Sequence, residues 1–224
     1  LVAGEGAFVE HVKLQDEPAH SFYLGTLRAQ LASGSNVISH SIALGGRLSR
    51  QNIEATLAGR DIEAVLNGLF LGHQERLIDH HLAVDHAAPA CTSHEYFNGV
   101  LAGRSKGVFY GHIHVRPHAQ KTDAKQTNKN LLLSELATVH TRPQLEIYAD
   151  DVKCTHGATI GQLDAASVFY LRSRGLPLQT ARQMLIHAFA GEIIDRVRSD
   201  AARAALDRLV WQRIERDQHV GAAP

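Results

Sequence analysis

The amino-acid sequence predicts a mainly β protein, a β-solenoid followed by a small α-helical domain. Three observations support this fold class. Apolar and polar residues alternate at a period of two through most of the first part of the chain, a turn that begins with leucine recurs, and the apolar period changes to three and four near Leu163. Strands at even spacing favour a solenoid, in which each rung buries its inner row against its neighbours. A β-sandwich also fits such strands and stays open here.

The strands are identified by their alternation. The ranges Ile38–Leu44, Ile53–Leu57 and Ile78–Val84 place apolar or His side chains at every second position, with polar or small residues between them. This pattern is typical of strands that bury one face. The whole chain has only six Pro, so its ladders of hydrogen bonds are little interrupted.

The strands end in turns of small residues that start from leucine. The leucines that open these turns are Leu31, Leu44, Leu57, Leu71 and Leu101, and each precedes a Gly-containing turn. The first steps between them are 13, 13 and 14 residues, and the last is about two steps with an insertion near residues 85–89. We therefore predict stacked parallel rungs over residues 9–160. Leu44, Leu57 and Leu71 are expected at equivalent positions on successive rungs.

The C-terminal part predicts three helices. The first runs from Asp164, a suitable N-cap, to Arg174, and Gly175 closes it. The second begins at Pro177, which suits a first helical turn, and the third spans residues 199–216.

Two domains follow from the change of period. We place a β core at residues 1–162 and a helical domain at residues 163–224. The sequence starts at Leu1 rather than Met, inside a strand-like pattern. We therefore expect that an N-terminal part of the protein precedes it.

Composition excludes several classes of protein. Hydrophobic residues make up 44% of the 224 residues, which is typical of a globular chain. Lys and Arg total 23, as do Asp and Glu, so no net charge favours binding to nucleic acid or to an anionic membrane. The two cysteines, Cys91 and Cys154, do not make a disulfide framework, and this indicates the reducing cytoplasm.

Histidine is abundant, with 15 residues. One candidate metal site groups three imidazoles with two carboxylates, a ligand set that suits Zn or Fe: His80, His81, His86, Asp79 and Asp85. However, His80 and His81 point to opposite faces of one strand and do not converge, so we favour scattered polar side chains. His112 and His114 are two apart and share a face if they lie on a strand.

The segment from Tyr148 to Gly161 contains a second candidate. Cys154 and His156 are two apart, so on an extended strand both side chains project to the same side. A thiolate and an imidazole provide half of a soft metal site, and a partner chain has to supply the other ligands. A buried structural Cys beside a capping His is the alternative, and both stay open. Lys153 points the opposite way.

At this point the sequence resembles the SufB/SufD family of iron–sulfur cluster assembly scaffold proteins, and within it the SufD branch. The resemblance covers essentially the whole chain and depends on these segments: Ser49–Asn52, Gln126–Ser134, Tyr148–Asp164, Phe169–Gly175 and Ala188–Ile193. Leu171 stands where the SufB branch carries a Cys after a Phe-Tyr pair. That branch also lacks the string Val152–Gly157, so both points favour SufD.

The resemblance implies a right-handed parallel β-helix with a C-terminal helical domain, and an N-terminal helical segment that this sequence lacks. It implies a complex with SufB, which meets the end of the β-helix, and with the ATPase SufC, which docks on the C-terminal helices. Residues 177–216 are expected to hold the SufC surface, with Val210 or Trp211 as anchors, although core packing of Trp211 is the alternative. The family's proposed metal-handling residues map onto Cys154 and His156.

We therefore predict a non-catalytic scaffold subunit that assists iron acquisition and iron–sulfur cluster assembly. We expect no tightly bound metal in the isolated chain, a cluster only transiently in the complex, and a possible homodimer when the chain is alone. One alternative is a β-helix enzyme that acts on polysaccharides, with Asp79, Asp85 and Glu95 as its acids. A purely structural interaction protein without a metal role is the other.

Overall fold

The computed structural model describes residues 1–219, so the predicted end of the helical domain at residue 224 lies outside the described residues. Strands fill the chain as far as Gly161, with bounds β1 Val2–Ala3, β2 Phe8–Gln15, β3 Phe22–Leu31, β4 Asn36–Ala43, β5 Leu48–Leu57, β6 Glu63–Gly72, β7 Leu77–His86, β8 Thr92–Leu101, β9 Lys106–Val115, β10 Asp123–Leu132, β11 Thr138–Ile147 and β12 Lys153–Gly161. Most are eight to ten residues long.

The strands form two parallel sheets that face each other. The first sheet has the order β1-β3-β5-β7-β9-β11, and the second has the order β12-β10-β8-β6-β4-β2. After each strand the chain therefore crosses to the opposite sheet, and after the next strand it returns to the first sheet one rung further along. The paired strands run parallel. This arrangement is a parallel β-helix, which confirms the predicted solenoid and excludes the sandwich.

One turn of the β-helix is twice as long as the leucine spacing suggests. Phe22 pairs with Leu48, and Lys106 pairs with Thr138, so a turn takes about 26 to 32 residues. Leu57 pairs with Leu31 in the first sheet, whereas Leu71 lies in β6 and Leu44 directly follows β4 in the second sheet, where β4 and β6 pair. The prediction that Leu57 shares a position with Leu44 and Leu71 is therefore wrong. Each turn has two similar corners, and the spacing of 13 to 14 residues separates corners rather than rungs.

Aromatic rings fill the interior where neighbouring strands carry glycine. Phe97 lies beside Gly68, and a Cβ added at Gly68 would lie 2.0 Å from the Phe97 ring. In the same way, a Cβ at Gly99 would lie 2.3 Å from the ring of Phe70. The large side chain of one strand thus occupies the space that its neighbour leaves, which gives the dense packing of a protein core.

Three helices follow the β-helix, as predicted. Their bounds are α1 Ala165–Ser173, α2 Leu178–Ile194 and α3 Asp200–His219. Asp164 is the N-cap of α1, since its carboxylate accepts hydrogen bonds from the backbone N–H groups of Ala166 and Ser167. Among the described residues, none of the helices is long and apolar enough to cross a membrane.

Helices α2 and α3 cover the outer face of the second sheet. Ile42 and Leu69 of the sheet share one apolar cluster with Ile186 of α2 and Val210 of α3. Strand β4 is therefore buried on both faces and not on one, because Ser39 faces the interior while Ile42 packs against the helices.

Polar contacts fix the same interface. The Asn98 side chain donates to the backbone oxygen of Phe189 at 2.9 Å, and the Lys129 ammonium lies 2.8 Å from the Glu192 carboxylate. The guanidinium of Arg196 lies over the ring of Tyr96, 3.8 Å from its centroid. The helices are thus joined to the sheet by apolar burial and by polar contacts.

Candidate functional site

The β-helix ends at two strands that each have one unpaired edge within the described residues. In the second sheet β12 pairs with β10 alone, and in the first sheet β11 pairs with β9 alone. Large apolar side chains are exposed at this end, with Tyr148 60% and Ile160 53% accessible. Unpaired strand edges beside exposed apolar groups are a surface on which another chain can pair.

Cys154 and His156 lie on this last strand and face the interior of the β-helix. Cys154 is the register partner of Ala124, and His156 is the partner of Gln126, and both partners are buried. The two side chains therefore project to the same side, as the sequence analysis predicts. Cys154 is half-buried and packs against the core, whereas His156 is exposed at the open end.

The environment separates the two candidate ligands. Burial raises the pKa of the Cys154 thiol above its ordinary value, and nearby Asp123 adds to this rise, although a backbone hydrogen bond from Ala124 opposes it. A metal is bound by the thiolate, so this rise disfavours Cys154 as a ligand. His156 is exposed, so burial does not oppose metal binding there, and it is the better candidate ligand of the two.

The histidines of β7 do not form a metal site. His80 is buried between two aromatic rings, with centroids 5.5 Å from Phe70 and 5.4 Å from Phe97. His81 lies on the outer face, 3.0 Å from the carboxylate of Asp79. The expectation of scattered polar side chains is confirmed for this pair.

His86 is also buried, and its imidazole contacts two hydroxyl groups in the interior of the β-helix. Its Nε2 lies 2.9 Å from the Ser93 hydroxyl, and its Nδ1 lies 3.5 Å from that of Thr122. Burial lowers its pKa to about 4, so the neutral imidazole is the form that the core holds.

The three acids of the polysaccharide alternative do not cluster either. Asp79 pairs with Arg50 at 2.9 Å on the outer face of the first sheet. Asp85 lies on the same face, where Arg116 donates two hydrogen bonds to it. Glu95 is fully buried inside the β-helix on the second sheet. No groove therefore brings these carboxylates to one substrate.

His112 and His114 share the outer face of the first sheet, as expected for residues two apart on a strand. Their rings stack at 6.4 Å, His112 lies 3.4 Å from Glu146, and His114 lies 3.1 Å from Asp85. Over residues 1–219, however, no group of three or more His, Cys, Asp or Glu side chains has an arrangement that holds a metal ion.

The helical region presents a different apolar surface from the expected one. Val210 is fully buried in the cluster between helices and sheet, so it is not a free anchor and that expectation is wrong. Trp211 is half-buried, and its Nε1 donates to Glu215 at 2.8 Å.

Helix α1, in contrast, has no buried residue, and its Phe169 and Tyr170 are 74% and 56% exposed. The sequence pattern does not indicate the exposure of these two aromatic residues, because an exposed apolar residue has the same spacing along a helix as a packed one.

The comparisons with known proteins agree on one family. The family model described as "SUF system FeS cluster assembly, SufBD core domain" matches residues 1–189. The iron–sulfur cluster assembly protein SufD of Escherichia coli is 38% identical over 208 residues, which are 93% of this chain and 49% of that protein. A SufBD family iron–sulfur cluster assembly protein of Synechocystis is 38% identical over 197 residues, 88% of this chain and 44% of that protein.

A plant protein extends this set. The chloroplastic protein ABCI7 of Arabidopsis thaliana is 34% identical over 199 residues, 88% of this chain and 42% of that protein. The chain thus spans about half the length of these relatives. With its parallel β-helix and the family match over most of its length, the chain belongs to the SufBD family of iron–sulfur cluster assembly proteins.

Proposed function

We propose that this chain is a non-catalytic scaffold subunit of a cytoplasmic Suf complex, in which it pairs with SufB and SufC during iron–sulfur cluster assembly. The observation that carries the proposal is the position of His156 beside Cys154 on the last strand of the β-helix, where one edge of that strand is unpaired. A scaffold role also fits the separation of Asp79, Asp85 and Glu95, which form no common acid site.

SufB pairs with the open end of the β-helix in this proposal. The backbone N–H of Lys153 donates to the oxygen of Thr122, the residue before β10, so the backbone N–H of Lys153 points toward its own sheet. Backbone groups alternate in direction along a strand. The backbone N–H and C=O groups of Cys154, His156 and Ala158 therefore point to the unpaired edge, where a strand of SufB forms hydrogen bonds with them. A second copy of this chain uses the same edge when SufB is absent, which gives a homodimer.

Iron is the cargo of the site and not a resident cofactor. His156 is exposed and Cys154 is half-buried, so this chain offers at most two ligands. A tetrahedral site needs four, and SufB supplies the others across the interface. The isolated chain accordingly binds iron weakly, and the cluster is held only transiently by the complex.

SufC docks on the helical region in this proposal, and helix α1 provides its contact surface. Phe169 and Tyr170 are exposed there, followed by Leu178 and Met184 on α2, which are each 41% accessible. Exposed aromatic residues are the usual anchors of protein interfaces. Because α2 and α3 are fastened to the second sheet, a movement that SufC imposes on the helices during ATP hydrolysis is transmitted to the β-helix and opens the SufB interface.

The test is cluster formation by the reconstituted complex of this subunit with SufB and SufC under anaerobic conditions. The His156→Ala variant is expected to slow the growth of cluster absorption at least about tenfold, with an unchanged thermal midpoint. Cys154→Ser is expected to be milder, since burial disfavours the thiolate. Normal cluster formation by His156→Ala would remove the metal role and leave the purely structural interaction protein.

A further inference from the structure

Three polar side chains form a row across the last three strands of the second sheet. Gln126 of β10 is the register partner of Glu95 on β8 and of His156 on β12. All three side chains face the interior, because their neighbours in the same rows belong to the core. The row runs from a fully buried carboxyl group, through a buried amide, to the exposed imidazole at the open end of the β-helix.

The inner two members of the row are bonded to each other. Gln126 Nε2 donates a hydrogen bond to Glu95 Oε2, and neither residue is more than 1% exposed. Gly111 of the opposite sheet makes room for this amide, since a Cβ added there would lie 2.2 Å from Gln126 Nε2. The Gln126 side chain is therefore held on one side by Glu95 and on the other by the backbone of β9.

The oxygen of the same amide has no hydrogen-bond partner. Gln126 Oε1 is buried and accepts no hydrogen bond. A buried carbonyl oxygen without a donor is unfavourable, so such atoms are rare in folded proteins. His156 occupies the next place in the row, and adjacent strands lie about 4.8 Å apart. At that spacing, a rotation of the His156 side chain can bring an imidazole N–H to this oxygen.

We propose that Gln126 is a positioning residue for His156, whose imidazole N–H it accepts on Oε1, and that Glu95 holds the amide in place. The inference rests on the proposed function, in which His156 is a ligand for iron. A histidine ligand is usually oriented by a hydrogen bond from the ring nitrogen that does not bind the metal. Gln126 would thus fix the tautomer of His156 and turn its free nitrogen toward the SufB interface.

Glu95 acts in this row as a neutral acid. Burial raises its pKa to about 8, although the hydrogen bond from Gln126 lowers it in part. The protonated carboxyl group is close in size to an amide and, like an amide, has both a donor and an acceptor, although an amide has one more N–H. Glu95→Gln is therefore the conservative variant that keeps the row intact, whereas Glu95→Leu removes the group that holds Gln126.

The first experiment measures the tautomer of His156 by NMR of the whole chain labelled with 15N-histidine. The His156 signals are assigned by their loss in His156→Ala, and urea unfolding verifies that each variant is folded. We expect one dominant tautomer in the wild type and in Glu95→Gln. A mixture of both tautomers is expected in Gln126→Leu and in Glu95→Leu. An identical tautomer ratio in wild type and Gln126→Leu would overturn the proposal.

The second experiment uses Fe2+ as the probe and the complex reconstituted with SufB. We expect Gln126→Leu to lower the apparent affinity for Fe2+ about 10- to 100-fold, as loss of an orienting partner usually does. His156→Ala is the reference. If His156→Ala binds Fe2+ as the wild type does, the proposed function fails. If it loses affinity while Gln126→Leu keeps both affinity and tautomer, only the positioning role fails.

Discussion

The imidazole of His80 packs against the ring of Phe97 inside the β-helix, with the two centroids 5.4 Å apart. The ring of Phe70 lies on the same imidazole, with centroids 5.5 Å apart, and Ser41 Oγ is 3.4 Å from His80 Nε2. Burial lowers the pKa of His80 from 6.5 to about 3, and the charge of Lys13 adds to the effect. The folded protein therefore holds this imidazole in its neutral form.

The first prediction concerns stability in acid. Because the pKa of His80 is lower in the folded than in the unfolded state, its contribution is present above pH 6.5 and is lost as the pH falls toward 3. We expect this one group to cost about 2 kcal/mol of unfolding free energy between pH 7 and pH 5. His80→Phe removes the titration and should reduce the loss by that amount, as measured by urea unfolding at both pH values.

The control for this experiment is His20→Gln, at an exposed position. We expect it to keep the pH dependence of the wild type. The explanation would be wrong if His80→Phe and the wild type lost the same unfolding free energy between the two pH values.

The second prediction concerns the fit between Gly68 and Phe97. A methyl group at Gly68 would lie 2.0 Å from the Phe97 ring, so Gly68→Ala forces the ring or the strand to move. Such overpacking costs about 1–3 kcal/mol of unfolding free energy, to be measured by urea unfolding. Gly157→Ala is the matched control, since nothing lies within 4 Å of its added Cβ. Equal stability of the two variants would contradict this account of the packing.

The local elements were predictable from sequence, and the long-range arrangement was less so. The alternation around Ile53 and the cap at Asp164 depend on neighbours in sequence, so strands and helices lie where the pattern indicates them. The pairing of Leu57 was not predictable in this way, because both corners of a turn have the same composition. Which of the two sheets follows a given corner is decided by how whole rungs stack, and this pairing is long-range.

The same distinction applies to the candidate site. The common face of Cys154 and His156 follows from strand periodicity alone. The contact of Glu95 with Gln126 joins residues 31 positions apart and depends on a register that no local pattern gives. The exposure of Phe169 was also out of reach, since it depends on which helices pack on the sheet.

The third prediction concerns the docking of SufC. Phe169 is 74% exposed on a helix without buried residues, so Phe169→Ala should leave the fold intact. If α1 is the contact surface, loss of this aromatic anchor lowers the affinity for SufC at least about tenfold. Titration of SufC with the wild type and the variant measures the change. Phe22→Ala, at a residue 69% exposed on β3, is the matched control and should bind normally. Unchanged affinity in Phe169→Ala would exclude α1 as the anchor.

The last prediction concerns the unpaired edge of β12. The backbone N–H of Ala158 points away from β10, so proline at this position removes a donor of the free edge without breaking a hydrogen bond within the sheet. Ala158→Pro should therefore fold with nearly the thermal midpoint of the wild type but fail to co-purify with SufB. Ala158→Val is the control, because it enlarges the same side chain and keeps the N–H. If SufB pairs by strand addition, the Val variant is retained and the Pro variant is lost. Retention of both variants at wild-type yield would show that SufB contacts side chains at this end of the β-helix and does not extend its sheet.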